Sequence, residues 1–180
     1  KHRLDPTEPR DILNSFLTGM VECVDRYRGT VDKFVGDEIM ALFGAPLHHD
    51  GHALDAIRTA LDMQQTHQRW MDERRSRGLE APPLGVGIAT GHVVVGNIGT
   101  PSRMDYTALG SSVNLAARLC GQAEGDEILT TRETHRQALM AAEAWTGEPL
   151  PHIRFAKKGS IELKNVANSI DVVRVEISAL

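Results

Sequence analysis

The sequence predicts an α+β sandwich in which helices pack over a largely antiparallel sheet. Three observations lead to this prediction. Apolar residues recur at helical spacing in four segments, strand-like apolar runs lie between them, and the order of elements is helix, hairpin, helix, hairpin, helix, strand, helix, strands. The chain of 180 residues is long enough for one domain with its own core. We find no repeat and no second domain over residues 1–180.

The first half of the chain contains three predicted elements. Helical spacing of apolar residues predicts a helix over residues 8–28. A hairpin is expected over residues 30–43, because two apolar runs meet at the turn-forming pair Gly36-Asp37. A second helix is predicted over residues 51–76, and its basic last turns suit the negative end of a helix dipole.

The second half opens with the runs LGVGIAT and HVVVGNIG, which predict a second hairpin with its turn at Gly91. The remaining predictions are a loop from Thr100 to Gly110, a helix over 111–121, the strand EILTT, a helix over 132–143, and short strands near 152–155, 160–164 and 171–177. A split-βαβ sheet requires a central strand before the first helix. Because the sequence starts on that helix, we expect the first strand to lie upstream of residue 1.

Composition and charge narrow the possible classes of protein. Hydrophobic residues make up 41% of the chain, as in an ordinary globular domain. The net charge of -4 does not favour nucleic acid as a partner. Cys23 and Cys120 lie in helical apolar patterns and are expected to be buried free thiols in a reducing compartment. The sequence has no apolar run of membrane-spanning length and does not open on a signal peptide, which leaves membrane segments further upstream open.

Two sets of polar residues allow a structural and a functional interpretation. Most aspartates in a Gly-Asp turn simply favour the turn, but Asp37 is also a candidate metal ligand. Asn114 and Arg118 are four residues apart and therefore share one helix face. A solvated face is the simpler interpretation, whereas an amide for a sugar and a guanidinium for phosphate would suit nucleotide chemistry.

Other candidate sites are weaker. The glycines of TGHVVVGNIG are not followed by Gly-Lys-Ser/Thr, so hairpin turns and close sheet contacts are expected rather than a phosphate loop. His48, His49 and His52 cluster in LHHDGH, but a zinc site needs further ligands and both cysteines are distant in sequence. The chain contains no G-x-S-x-G nucleophile elbow.

Three longer motifs occur in order: RGTVDKFVGDEIMALFGAP, VGIATGHVVVGNIG and DYTALGSSVNLAARL. Together they resemble the catalytic domains of class III nucleotidyl cyclases, and the resemblance extends from Leu4 to about Val175. It implies a ferredoxin-like sandwich, a βαββαβ core with extra strands and helices, that works as a head-to-tail dimer. The family's first strand carries a metal-binding aspartate in the motif F-DI-GFT. That strand would lie upstream of residue 1, as the predicted sheet requires.

The resemblance implies how the site would hold metals and the base. Asp37 matches one of two aspartates that bind two divalent ions, magnesium or manganese, and the other aspartate is expected upstream. Lys33 and Thr107 match the pair that reads the purine. Lys33 can only donate and Thr107 can accept, which suits N1 and N6 of adenine and disfavours guanine. The guanylyl branch typically has Glu and Cys at these places, and the Thr form resembles a bacterial branch.

The resemblance also implies residues for the sugar and the phosphates. Asn114 matches the residue that orients the ribose, and Arg118 matches the arginine that stabilises the pentavalent phosphorus of the transition state. Lys164 resembles the lysine that grips the terminal phosphates. This chain has Asn165 where the family usually has Gly, a departure that weakens the match at Lys164.

The implied activity is adenylate cyclase. A ribose 3′ oxygen would attack the α-phosphorus of ATP at a homodimer interface and release pyrophosphate. A cytoplasmic catalytic domain and a regulatory domain elsewhere in the parent chain are also implied. The alternatives are an inactive nucleotide-binding or dimerisation module, a guanylate cyclase, or a diguanylate cyclase. VGDEI resembles the GGDEF loop of the last family, but Val35 replaces its first Gly and that family lacks the VNLAAR helix.

Overall fold

The computed structural model describes residues 8–162 and 168–178, and this part of the chain forms four helices and eight strands. In chain order they are α1 (Glu8–Arg26), β1 (Thr30–Val35), β2 (Glu38–Leu42), α2 (His52–Ser76), β3 (Val86–Gly87), β4 (Val94–Thr100), β5 (Arg103–Leu109), α3 (Ser111–Gln122), β6 (Ile128–Thr131), α4 (Arg132–Glu143), β7 (Ile153–Ile161) and β8 (Ile170–Ile177).

The strands form one sheet and two separate ribbons. The sheet has the order β3-β6-β8-β7, with β3 and β6 parallel and the other pairs antiparallel. One ribbon is the antiparallel pair β1–β2 and the other is the antiparallel pair β4–β5. In residues 8–162 and 168–178, no backbone ladder joins either ribbon to the sheet. The strand expected before α1 falls outside the chain and stays a prediction.

Helices cover both faces of the four-stranded sheet. Ile128 packs with residues of α2 and α4, including Ile57 and Ala138. The next residue, Leu129, packs with Leu115 and Leu119 of α3. Neighbouring strand residues point to opposite faces, so α2 and α4 lie on one side and α3 on the other. The α+β prediction is therefore confirmed.

A buried carboxylate ties the chain before β1 to the start of α2. Asp55 is only 2% exposed and accepts from the Arg28 guanidinium, with an Nη2–Oδ2 distance of 2.6 Å. The same carboxylate oxygen lies 3.1 Å from Nε2 of His49. Because Arg28 leads into β1, this network holds the entry to the first ribbon.

One turn further along α2, the Arg58 guanidinium lies between two aromatic rings. Its central carbon is 4.6 Å from the Tyr27 ring centre and 4.7 Å from the Trp145 ring centre. Guanidinium groups stack favourably on aromatic faces at such distances. Arg58 therefore links the end of α1 and the segment after α4 to α2.

Strand pairing in the second half differs from the prediction. The structure has no hairpin turning at Gly91; β3 pairs with β6, and β4 pairs with β5. The segment predicted as a loop from Thr100 to Gly110 contains β5. The strands predicted near 152–155 and 160–164 join into β7 as far as Ile161, and residues 163–164 of the second predicted strand lie outside the described part.

Two further observations concern the thiols and the helices. Cys23 is buried as expected, while Cys120 is only partly buried, and both are free.

Within the described ranges, none of the helices combines the length and the apolar character needed to cross a lipid bilayer.

Candidate active site

The β1–β2 ribbon carries two of the predicted site residues. Val35 pairs with Glu38, so Gly36 and Asp37 form the tight turn between the strands. Gly36 has a φ of 61°, in the left-handed region that glycine adopts without strain. The Asp37 side chain is exposed at this turn, and the Lys33 side chain is 43% exposed on β1. Both charged groups can therefore reach a ligand.

A carboxylate that the sequence analysis did not select joins Lys33 to Thr107. The Thr107 hydroxyl on β5 donates to Oδ2 of Asp32 over 2.7 Å. The Lys33 ammonium lies 3.9 Å from the same oxygen. The Asp32 side chain is only 2% exposed. This contact brings the two predicted base-reading residues together across the two ribbons.

Helix α3 carries the other two described candidates. Asn114 and Arg118 lie one turn apart on α3, and both are exposed. Nη1 of Arg118 donates to the backbone oxygen of Glu162 over 2.7 Å. This bond holds Arg118 beside the chain that leads to Lys164. Lys164 itself lies outside the described residues.

Glycines let α3 lie very close to β3. A Cβ atom on Gly87 would lie 2.2 Å from the Ala116 carbonyl oxygen and 2.3 Å from the Cys120 nitrogen. A Cβ atom on Gly91 would lie 2.1 Å from Oγ of Ser112. Gly91 thus serves helix packing rather than a hairpin turn. Because Gly87 faces backbone atoms of α3, the height of α3 above the sheet, and so the position of Asn114 and Arg118, depends on this glycine.

A close sheet contact is confirmed at another glycine of the same motif. On β4, a Cβ atom on Gly99 would lie 2.2 Å from the Arg103 carbonyl oxygen on β5. The glycine thus allows the two strands to approach where the ribbon turns.

The charges at the turn of the first ribbon act on the thiol in the last part of α3. Burial raises the pKa of the Cys120 thiol, and the negative charges of Glu38 and then Asp37 raise it further. Asp37 and Glu38 therefore add negative charge close to the helix that carries Arg118.

The described contacts gather the candidates into two groups. Hydrogen bonding and ion pairing link Lys33 and Thr107 through Asp32, and a hydrogen bond links Arg118 to Glu162. Among residues 8–162 and 168–178, no hydrogen bond connects the first group to the second.

His49, one of the three clustered histidines, contacts Asp55.

The sequence motifs and the arrangement of elements can be compared with known proteins. The family model described as the adenylate and guanylate cyclase catalytic domain matches residues 1–173. The chain belongs to this family. The resemblance inferred from the three motifs is thereby confirmed. The roles of the individual site residues stay predictions.

Individual relatives within the cyclase family include enzymes named for either nucleotide. An adenylate cyclase of Anabaena cylindrica is 34% identical over 179 residues, which cover 96% of this chain and 33% of that protein. The adenylyl cyclase CyaB from P. aeruginosa has a TM-score of 0.84 and 32% identity, covering 98% of this chain and 86% of that one. The guanylyl cyclase Cya2 has a TM-score of 0.78 and 30% identity, and the match covers 96% of this chain and 82% of that one.

The chain spans about a third of the length of the Anabaena relative. It spans about a quarter of adenylate cyclase 1 of Rhizobium meliloti, to which it is 28% identical over 170 residues. Those relatives are thus longer than this cyclase domain.

Proposed function

We propose that this chain is a single catalytic domain that converts ATP to cyclic AMP and pyrophosphate. The observation that carries the proposal is the contact of Lys33 and Thr107 with one buried carboxylate. Adenine offers an acceptor at N1 and a donor at N6. Lys33 can donate to the first, and the Thr107 oxygen can accept from the second.

The acidic turn of the first ribbon fits a divalent cation. The family uses divalent metals, and the exposed Asp37 carboxylate supplies a hard oxygen ligand of the kind that magnesium and manganese prefer. The second aspartate of the expected two-metal site would lie upstream of residue 1. When bound, such ions would activate the 3′ hydroxyl and offset the charge of the leaving pyrophosphate.

The exposed face of α3 suits the sugar and phosphate part of the substrate. Asn114 can orient the ribose through its amide, so that the 3′ oxygen faces the α-phosphorus. Arg118 uses one N–H donor for the Glu162 carbonyl and retains others for the charge that develops at phosphorus. Lys164 would bind the terminal phosphates.

Apolar surface on both ribbons supports a homodimer with shared sites. Six large apolar side chains there are between 48% and 71% exposed: Phe34, Val35, Val94, Met104, Tyr106 and Leu109. Exposed apolar side chains that lie together mark interaction surfaces, and each ribbon carries at least two of these six. In the head-to-tail dimer, each site would take Asp37 from one chain and Arg118 from the other. A two-fold dimer then has two equivalent sites.

The proposal also covers the cellular location of the domain and the rest of the parent chain. ATP as substrate and two free thiols suit a cytoplasmic location. The greater length of the relatives leaves room for a regulatory domain elsewhere in the parent chain.

The 30% identity to the guanylyl cyclase Cya2 makes GTP the second candidate substrate. The test is to incubate the full-length protein with ATP or GTP and manganese, and to identify the cyclic nucleotide by chromatography. Cyclic AMP is the expected product. If cyclic GMP is the only product, the domain is a guanylate cyclase and not an adenylate cyclase. If neither substrate gives a cyclic nucleotide, the inactive module is favoured.

A matched pair of variants then tests the metal ligand. Asp37→Ala should abolish turnover while the fold survives, since an exposed turn aspartate contributes little packing. Glu38→Ala, one residue away, should keep turnover. Cyclic AMP formation at the parental rate by Asp37→Ala would refute the metal assignment.

A further inference from the structure

The Asp32 carboxylate lies at the contact between the two base-reading residues. Its side chain is 2% exposed, and its Oδ2 atom faces both the Thr107 hydroxyl and the Lys33 ammonium. Burying a carboxylate is costly unless it is paired. An apolar residue could fill the same space between the ribbons without that cost, so packing alone does not account for Asp32.

A break in the strand register explains how Asp32 and Lys33 reach one point. In a regular strand, neighbouring side chains point to opposite faces. In β1, Val31 pairs with Ala41 and Lys33 pairs with Met40, so Asp32 is an extra residue in a bulge. Bulges re-aim side chains and are frequent beside active sites. This bulge turns Asp32 towards Thr107 and leaves Lys33 beside it.

The hydrogen bond to Asp32 determines which way the Thr107 hydroxyl points. A threonine hydroxyl has a single hydrogen, and a carboxylate can only accept. With that hydrogen donated to Asp32, the Thr107 oxygen presents only lone pairs to a ligand. It can accept from the 6-amino group of adenine, whereas it offers no hydrogen to the 6-oxo group of guanine.

We propose that Asp32 is a positioning residue for base selection: it fixes the Thr107 hydroxyl as an acceptor and holds the Lys33 ammonium beside it. This inference rests on the proposed cyclase function and adds to it the origin of the adenine preference. Asp32 itself does not touch the nucleotide. Its removal should therefore change the discrimination between bases more than the chemistry.

The test uses ATP and purine riboside 5′-triphosphate, which lacks only the 6-amino group. In the parent protein, loss of this group should lower kcat/KM about tenfold, the value of one lost hydrogen bond in a closed site. In Asp32→Asn, the amide can donate as well as accept, so the Thr107 hydroxyl is free to turn. The preference for ATP over the analogue should then fall to about twofold or less.

Variants of Thr107 separate positioning from a structural role. Thr107→Ser keeps the hydroxyl and should keep the preference while Asp32 is present. Thr107→Val should lose the preference for ATP over the analogue. Adding Asp32→Asn to Thr107→Val should lower that preference no further, because the two residues act through one contact. Thermal unfolding of each variant checks that the fold is retained.

Two results would overturn the inference. One is an Asp32→Asn protein with lower activity but an unchanged preference for the 6-amino group, which is the behaviour of a purely structural residue. The other is a Thr107→Val protein that keeps the preference. If Asp32→Asn does not fold, the same comparison is made with Asp32→Ser, whose hydroxyl can also donate as well as accept.

Binding measurements keep the inference distinct from the proposed function. The 3′-deoxy forms of ATP and GTP lack the attacking hydroxyl, so calorimetry reports their affinity without turnover. Asp32→Asn should lower the ratio of the two affinities about tenfold, and an unchanged ratio would overturn the inference. Failure of the parent protein to cyclise ATP would instead overturn the proposed function alone.

Discussion

Gly87→Ala is expected to displace α3 and with it the candidate site residues Asn114 and Arg118. The new methyl group would lie 2.2 Å from the Ala116 carbonyl oxygen and 2.3 Å from the Cys120 nitrogen. Both are backbone atoms of the helix, so no rotation of a side chain can relieve the contact. The helix and β3 must move apart by about 1 Å to restore ordinary van der Waals distances.

The expected losses of stability and of catalytic rate both follow from this shift of about 1 Å. Overpacking of this kind costs about 1–3 kcal/mol of unfolding free energy. For a domain of this length, a cost of about 2 kcal/mol lowers Tm by roughly 4–8 °C. Asn114 and Arg118 move with the helix, and a misplacement of about 1 Å can lower the catalytic rate about 10²-fold.

The measurements are Tm by circular dichroism and kcat/KM for cyclic AMP formation. Gly121→Ala is the matched control, because Gly121 is in the same helix and its added methyl group would have no neighbour within 4 Å. This variant should be active and as stable as the parent, or up to about 1 kcal/mol more stable. Parental Tm and activity in Gly87→Ala would refute the packing explanation. Lower Tm with full activity would show that α3 can move without disturbing the site.

Three further predictions test the base, the dimer and the fold. Changing Lys33→Glu and Thr107→Cys together should erode the preference for ATP and admit GTP; an unchanged ATP/GTP ratio of kcat/KM would mean that neither residue reads the base. Mixing the inactive variants Asp37→Ala and Arg118→Ala should restore roughly a quarter of parental activity near equal amounts, since one site of each mixed dimer is intact. No recovery of cyclic AMP production despite demonstrated subunit exchange would exclude shared sites. Asp55→Ala should lower the unfolding free energy by about 1–3 kcal/mol in urea titrations, because its basic neighbours lose their acceptor; parental stability would show that the network contributes nothing.

The elements that depend on local pattern could be predicted from the sequence. The helices α1 to α4 begin and end within two residues of the predicted bounds, because each has apolar spacing of its own. The first hairpin was also predictable, since its turn is the short pair Gly36-Asp37. The strand-to-strand pairing in the second half was not. The parallel pairing of Val86 with Ile128 joins residues distant in sequence, and strand periodicity carries no information about such a partner.

Gly91 and β5 show two other limits. Gly91 resembles a turn residue, yet its role is to let Ser112 of α3 approach. In β5 the buried residues Thr107 and Ala108 are adjacent rather than alternating, so the strand has no period-two signal.

The candidate site residues were selected because single residues match motifs, and their roles stay predictions. The structure places Lys33 on β1, Asp37 in the turn after it, Thr107 on β5, and Asn114 and Arg118 on α3. Asp32 was missed because strand alternation places it on the face opposite Lys33. The bulge at Asp32, which strand periodicity does not predict, brings both side chains to one point.

The stacking of Arg58 on Trp145 has a consequence for spectroscopy. The chain has two tryptophans, and each contacts a different end of α2. Trp145 stacks on Arg58 near the start of the helix, whereas Trp70 belongs to its last part and stacks on His67 at 5.3 Å. Their intrinsic fluorescence therefore reports on the two ends of a 25-residue helix about 37 Å long. Replacing one tryptophan by phenylalanine would leave a single indole, which can be excited at wavelengths that the two tyrosines do not absorb. The loosening of either end of the helix could then be followed without an added dye.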